Sequence, residues 1–273
     1  MGLIGGSFAM SLRDNGLSEH ITAVDTNDKN LETALKLGLI DEAADLDNAI
    51  EAADLIVLSA PVDAIPSLAV KVLNRIEEGQ VVMDMGSVKT ELADMISQHP
   101  KRGRFVATHP MWGTEYSGPE SAVKGAFKGR NVVICDKAMS DADAIALVEK
   151  IYSSIGMPIL YMSSEEQDLH SAYISHISHI SAYALALTVL EKEREENHIF
   201  DLASSGFEST VRLAKSSPSM WVPIFLNNKY NVLDVLREHI HQLQIFRKML
   251  EQDDKKGLIA AVEKANTIKK IIK

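Results

Sequence analysis

Up to Tyr161 short apolar runs of strand type alternate with helical patterns, and beyond Ser163-Ser164-Glu165 no strand-like run recurs. That change of period constrains the fold more than any single motif does. The strand-type runs are residues 20–24, 54–60, 80–84, 104–108, 131–134 and 158–161, with helical patterns around 65–73, 91–98 and 141–154. Alternation of this kind needs crossover connections and therefore a mainly parallel sheet. The remainder reads as long helices, at 165–195, 199–214, 220–227, 229–251 and 258–271. Two units are expected: an α/β unit over 1–164 and an all-α unit over 165–273.

The α/β unit opens on Gly2-Leu3-Ile4-Gly5-Gly6-Ser7 and runs into an apolar helical pattern. Glycines let backbone N–H groups approach a phosphate, and the following helix N-terminus favours negative charge. The 20–24 run closes on Asp25, about 20 residues past the glycines, where an acidic residue meets an adenosine ribose. A Rossmann-like dinucleotide-binding domain is the expectation, with Gly2, Leu3, Ile4, Gly5, Asp25, Ser59 and Pro61 as cofactor residues, and with Asp25 favouring NAD over a 2′-phosphorylated dinucleotide. Such a fold starts with a strand, yet nothing precedes Met1 to form it, so Gly2 and Gly5 take the places of the second and third glycines only. The chain as given is therefore expected to begin at an internal methionine of a protein carrying roughly ten more residues, a strand and its turn. On that reading it binds NAD less well and is less stable than the longer form. The alternative is that the two strands flanking the gap close up on one another.

His109-Pro-Met-Trp-Gly-Thr-Glu115 follows the 104–108 run, so an imidazole sits where a strand gives way to a loop, the edge at which open α/β sheets bind ligands. Pro110 biases His109 towards extended backbone and stiffens the turn. A titratable ring, an aromatic and a carboxylate in one loop suit acid/base work beside a flat substrate or cofactor. Gly86-Ser87-Val88-Lys89 lies past another strand at the same edge, with Ser87 read as a helix N-cap and, compatibly, as a hydroxyl aimed at a nicotinamide or at His109.

In the helical unit, Ser181-Ala-Tyr-Ala-Leu-Ala-Leu187 is apolar on several faces, which requires burial in a bundle or a subunit interface, and a homodimer is expected. His170, His176 and His179 share the first long helix, the last two at i and i+3 on one face. They lack the carboxylate or cysteine partners of a zinc or iron site, so no metal is expected. His239 and His241 read as solvent-side, and residues 191–196 as a solvated helix end. Arg212 lies in a segment apolar enough to be packed and is either half of an ion pair or a clamp on a carboxylate. The formal charge of −10 argues against nucleic-acid and anionic-membrane partners. The single Cys135 excludes an internal disulfide and reads as a small core residue. No apolar run is read as a bilayer span and the start lacks a signal peptide's basic residues, so a cytoplasmic protein is expected.

Taken together, Gly2–Ser7, Gly86-Ser-Val-Lys89, His109–Glu115, Ser175-His-Ile-Ser-His179, Arg212-Leu-Ala-Lys215 and Met220-Trp221 resemble the prephenate and arogenate dehydrogenases of tyrosine biosynthesis, in order and approximate spacing along the whole chain. The resemblance implies NAD-dependent oxidative decarboxylation of prephenate to 4-hydroxyphenylpyruvate. It further implies that His109 accepts the hydrogen bond of the ring hydroxyl and that Ser87 orients His109 and the nicotinamide. Arg212 would hold a substrate carboxylate, and Ser175, His176 and His179 would line the substrate pocket. Glu115 would be the acid at the pocket entrance, and Trp221 would reach the partner subunit's site. Where the family has Ser-His-Leu-Pro-His this chain carries Ile177-Ser178, so a proline kink is not expected there. The alternatives are an arogenate dehydrogenase, a 3-hydroxyacid dehydrogenase of similar architecture, and a dinucleotide-binding protein without catalysis.

Overall fold

The computed structural model describes residues 1–196 and 198–271. Strands β1 (Thr22–Ala23) and β2 (Glu42–Ala43) pair in parallel as a separate two-stranded sheet. The main sheet has the order β3 (Leu55–Leu58), β4 (Val81–Asp84), β5 (Phe105–Pro110), β6 (Val132–Cys135), β7 (Ile159–Met162). β1 and β3 are not hydrogen-bonded neighbours, so the two strands do not close up on one another. β3, β4 and β5 are parallel, as are β6 and β7, but β5 and β6 run antiparallel with Thr108 opposite Ile134 and Pro110 opposite Val132. The sheet is thus mainly parallel, as expected, with this one antiparallel pair. Residues 111–131 between the two strands contain no α-helix, and without a crossover helix the chain turns back instead of crossing over.

Both faces of the sheet are covered, and the period of two decides which residue meets which helix. Val81, Met83, Val106, Val132 and Ile134 join Phe8 and Leu12 of α1 (Leu3–Asp14) and Val148 and Tyr152 of α6 (Ala142–Ile155) in one core. Val82, Phe105, Ala107, Val133 and Cys135 point the other way, against Ala69, Val72 and Leu73 of α4 (Ile65–Arg75) and Leu92 and Ile96 of α5 (Thr90–Ile96). Cys135 is a buried core thiol pushed up to about 12 by burial, as the sequence reading had it. α2 (Asp28–Lys36) and α3 (Leu46–Ala52) start on side-chain caps from Asn27 and Asp45.

Under the carboxyl edge of the sheet lies a buried ion pair, Lys89 with Asp84. The Asp84 carboxylate also accepts from the Gly86 and Thr108 N–H groups, and Thr108 Oγ1 bridges the Asp84 carbonyl to the Tyr152 hydroxyl. Every partner is a residue of β4, β5, α6 or the Gly86–Lys89 turn, so the pair fixes the turn to the strand ends.

The helical half begins with α7 (Ser164–Ser171), which has the capping box of Ser163 with Glu166. A π-helical stretch, Ala172–His176, joins it to α8 (Ile177–Glu195). The helix is thus locally widened just before His176–His179 although no proline is present, a distortion common at functional sites. Then follow α9 (Ser205–Val211), α10 (Pro218–Asn227), α11 (Lys229–Glu251) and α12 (Lys255–Asn266). Only His179 and Ala182 of α8 are buried, so of the two alternatives read for the apolar 181–187 stretch the single chain does not supply the bundle. One expectation is corrected here. The continuous helix Ser164–Glu195 is, by length and composition alone, long and apolar enough to cross a bilayer, which the sequence reading denied of any run.

Replacing Lys89 with Met should destabilise the protein by about 3–5 kcal/mol, because it leaves Asp84 buried without its counter-ion. Burial already raises the pKa of Asp84, and Lys89 is the main group opposing that rise. A raised folded-state pKa favours folding at low pH, so the deficit should be larger at pH 8 than at pH 5 in urea unfolding. An equal deficit at both would show that Asp84 is not what the lysine holds.

Candidate active site

His109 is the penultimate residue of β5, at the carboxyl edge shared with Ser59 after β3 and Ser87 after β4. Its Nδ1 lies 2.9 Å from the amide nitrogen of Gln167, a buried residue of α7. The same amide nitrogen donates to the Ser87 carbonyl at 3.1 Å and to Ser171 Oγ at 2.6 Å. Among the described residues no hydrogen bond joins the Ser87 hydroxyl to His109, so the group that touches the imidazole is Gln167 and Ser87 contributes its carbonyl. Ser87 is not the N-cap of α5 either. Asp168 takes that role from across the chain, accepting from the Lys89 and Thr90 N–H groups at 2.7 and 2.9 Å.

Burial, with smaller contributions from the charge of Lys89 and from His176, pushes the His109 imidazole down to about 3. It is therefore neutral over the whole physiological range and holds a lone pair. A neutral imidazole on a stiff strand end can accept a hydrogen bond and, as charge develops, a proton.

His176 and His179 face the same side of the π-distorted helix. His176 is buried, its Nδ1 3.2 Å from the Asn228 amide nitrogen, which also donates to the Asp168 carbonyl at 2.7 Å. An amide donor at Nδ1 leaves the neutral ring with its proton on Nε2, a donor. His179 has the opposite polarity: Nδ1–H donates to the Ser175 carbonyl at 3.2 Å, leaving Nε2 as an acceptor. Burial lowers both pKa values, that of His176 to about 4; its neighbour His179 adds to the first shift, and the charge of Arg212 adds to the second.

Trp221 of α10 stacks on His179, centroids 3.4 Å apart and planes 24° apart, and meets His176 edge-on at 6.0 Å. It also packs with Val88, next to Ser87. Within the single chain its ring thus packs beside the two histidines and the Gly86–Lys89 turn. Its buried Nε1 has no hydrogen-bond partner among the described residues.

Arg212 is not packed: its side chain is 52% exposed, and neither α9 nor the 3₁₀ turn Arg212–Lys215 has a buried residue. Of the alternatives read from sequence it takes the ion pair, with Nη1 2.8 Å from Glu115 Oε2 in the loop after β5. An exposed pair of this kind adds little to stability and separates readily.

On the far side of the edge, the N-terminus of α1 carries no side-chain cap and no acidic residue in its first turn, leaving its N–H groups available to an anion. A Cβ on Gly5 would stand 2.6 Å from Ser59 Oγ, so α1 approaches the end of β3 as closely as only glycine permits. Asp25 accepts from the Met1 ammonium, the Asn27 N–H and the Asn30 amide. Partial burial raises its pKa, but these bonds outweigh it and keep the carboxylate ionised. The cradle fits a dinucleotide pyrophosphate and its ribose.

Two family descriptions tile the chain: "Prephenate dehydrogenase, nucleotide-binding domain" over residues 8–161 and "Prephenate dehydrogenase, dimerization domain" over 163–264. The chain belongs to the prephenate dehydrogenase family. It is 32% identical to the prephenate dehydrogenase of Bacillus subtilis over 94% of its own length and 70% of that protein's. With the cyclohexadienyl dehydrogenase of Zymomonas mobilis it shares 29% identity over 93% and 87%. Its structure matches the crystal structure of prephenate dehydrogenase from A. aeolicus, solved in complex with hydroxyphenyl propionate and NAD+, with a TM-score of 0.90 at 30% identity, covering 100% and 96% of the two chains. Membership in the prephenate dehydrogenase family sets aside the 3-hydroxyacid reading.

Gln167, Asp168 and Asn228 were not singled out in sequence. Glu165-Glu166-Gln167-Asp168 looks like a solvated helix start; the one available signal is that capping assigns Glu166 to the Ser163 side and so turns its successors elsewhere. In a Trp112→Phe background, emission from Trp221 should be quenched as His179 gains a proton, with a midpoint below the ordinary histidine value of 6.5, since burial lowers the pKa. A midpoint at or above 6.5 would contradict the stacked, neutral pair.

Proposed function

We propose that this protein is an NAD-dependent prephenate dehydrogenase, converting prephenate to 4-hydroxyphenylpyruvate with release of carbon dioxide, and that it acts as a homodimer through its helical half. The observation that carries the reading is the half-buried, neutral His109 at the carboxyl edge, facing a helical half that offers the buried His176, His179 and Trp221. NAD, held by Gly2, Leu3, Ile4, Gly5, Asp25, Ser59 and Pro61, supplies the hydride acceptor. The chain's own work is on the proton and the carboxylates. His109 accepts the hydrogen bond of the ring hydroxyl and takes its proton as the carbon beneath becomes a ketone. Loss of the ring carboxylate then restores aromaticity, so no further acid or metal is needed. A dianionic substrate approaching a chain of formal charge −10 needs a fixed cation, and Arg212, released from Glu115, provides it.

Preference for prephenate over arogenate rests on His176, whose Nε2–H is a donor suited to a keto oxygen or carboxylate. His179 favours the second reading, because its free nitrogen is an acceptor that an ammonium would satisfy. Following NADH absorbance with each substrate in turn decides between them, and absence of turnover with either would overturn the proposal.

His109→Asn should lower kcat by about 10²–10⁴ with a much smaller change in KM, the scale of general-base catalysis; near-normal turnover would remove His109 from the chemistry. Arg212→Ala should raise KM about 10- to 100-fold, from roughly 1.5–3 kcal/mol for a charge-assisted hydrogen bond. Unchanged KM would assign the carboxylate to another group.

A further inference from the structure

We propose that Gln167 is a positioning residue that decides which ring nitrogen of His109 carries the proton. The inference rests on the reading of His109 as the proton acceptor and adds the residue that makes it able to act.

Gln167 stands on the second turn of α7, fully enclosed, with its amide nitrogen among three neighbours. The Ser87 carbonyl, 3.1 Å away, can only accept, so it fixes the amide nitrogen, and not the oxygen, on this side. The NH2 has two hydrogens for three neighbours and its nitrogen accepts none, so His109 Nδ1 at 2.9 Å shares one N–H with Ser171 Oγ and must hold its lone pair. A neutral imidazole has one proton, and it is left on Nε2. A ring in that form donates from Nε2 and cannot take a proton there. On the other side of the same carboxamide, Oε1 is buried and has no partner among the described residues. A buried acceptor without a donor costs about 1–3 kcal/mol and calls for an explanation.

The two irregularities resolve together. Half a turn of the carboxamide exchanges its ends, bringing Oε1 to Nδ1 as an acceptor, which moves the ring proton to Nδ1 and frees the Nε2 lone pair. Ser171 Oγ, now 2.6 Å from the amide, can rotate its hydrogen to donate to Oε1. The Ser87 carbonyl loses its donor and the two N–H groups move to the place of Oε1, where no partner is described, so the resting orientation is preferred and the exchanged one is the form competent to take the hydroxyl proton. The other titratable groups around the ring leave this choice to Gln167. Lys89 is paired with Asp84, His176 is committed to Asn228, Asp168 caps α5, and Glu115 is paired with Arg212.

The test uses full-length protein labelled with ¹⁵N-histidine, His109 being assigned by its loss in His109→Asn, together with pH profiles of kcat/KM. In the unliganded wild type, the His109 proton should be on Nε2. Gln167→Glu offers only acceptors, so the proton should move to Nδ1, and the acid limb of kcat/KM should rise by more than one pH unit, as for a histidine beside a carboxylate. Gln167→Met, of similar shape and without polar atoms, should lower kcat about 10- to 100-fold with KM within threefold and leave the acid limb where it was. A proton on Nδ1 in the unliganded wild type overturns the proposal even if the Glu variant fails to fold, and so do indistinguishable acid limbs in two folded variants. The nitrogen measurement needs no turnover. If neither prephenate nor arogenate is oxidised while the His109 proton follows the residue at 167, the reading of the reaction fails and the role of Gln167 stands.

Discussion

The first turns of α7 hold the two halves of this protein in register. Asp168 caps α5 from the helical side, Gln167 gathers the Ser87 carbonyl and the His109 ring, and the Asp168 carbonyl receives the Asn228 amide that also holds His176. These bonds are shielded from water, so each group left without its partner would incur a desolvation cost. The site depends on this because its parts come from different places: His109 and Ser87 from strand ends, His176 and His179 from a helix 67 to 92 residues later, and Trp221 from another. Moving α7 alone would change the aim of all of them.

The same enclosure sets the chemistry. Water exclusion disfavours the charged form of every imidazole in the site, and His109 and His176 are shifted down to about 3 and about 4. What remains is a set of neutral rings whose polarity is chosen by a single hydrogen bond each: an amide at Nδ1 makes His176 a donor, and a carbonyl at Nδ1 makes His179 an acceptor. Positive charge is kept apart, on a half-exposed Arg212 at the rim and on a Lys89 neutralised by Asp84 beneath. On the proposed function, an anionic substrate would meet its cation at the entrance and its neutral hydrogen-bond partners inside.

How much of this was legible follows from where each signal resides. Period-two burial and the alternation of patterns place β3 to β7 and α4 to α6 within a few residues of where they lie, since these depend on local composition and the core fills both faces of the sheet. The antiparallel turn of β6 was missed although the chain carried the clue, a stretch between Met111 and Asn131 with no helical pattern to make a crossover. His109, Ser87, His176 and His179 are brought near one another as their motifs suggested, and Trp221 packs with them from its own chain. The residues that join them were not visible, because Gln167, Asp168 and Asn228 look like ordinary surface amides and carboxylates until the fold buries them. Arg212 erred the other way: its apolar neighbours promised burial, but in the single chain Val211, Leu213 and Ala214 are only half-buried.

That exposure is itself informative about the helical half. Leu187, Leu226, Tyr230, Leu243 and Leu250 are all open to solvent in the single chain, spread over α8, α10 and α11, and only two residues of α8 are buried. Isolated exposed leucines need no explanation, but apolar side chains recurring along three neighbouring helices exceed what a monomer ordinarily presents. The nucleotide-binding half shows no such deficit: β4 and β6 are buried throughout and both sheet faces are covered. The asymmetry gives the halves different tasks. One completes its core within the chain and can hold His109 rigidly. The other has to complete its core against something else, and a second copy, as proposed above for the homodimer, satisfies the same leucines on both sides of a two-fold axis. Because Arg212, Trp221 and the π-distorted helix all belong to that second half, the proposed homodimer would tie the geometry of the proposed substrate pocket to the association of the chains.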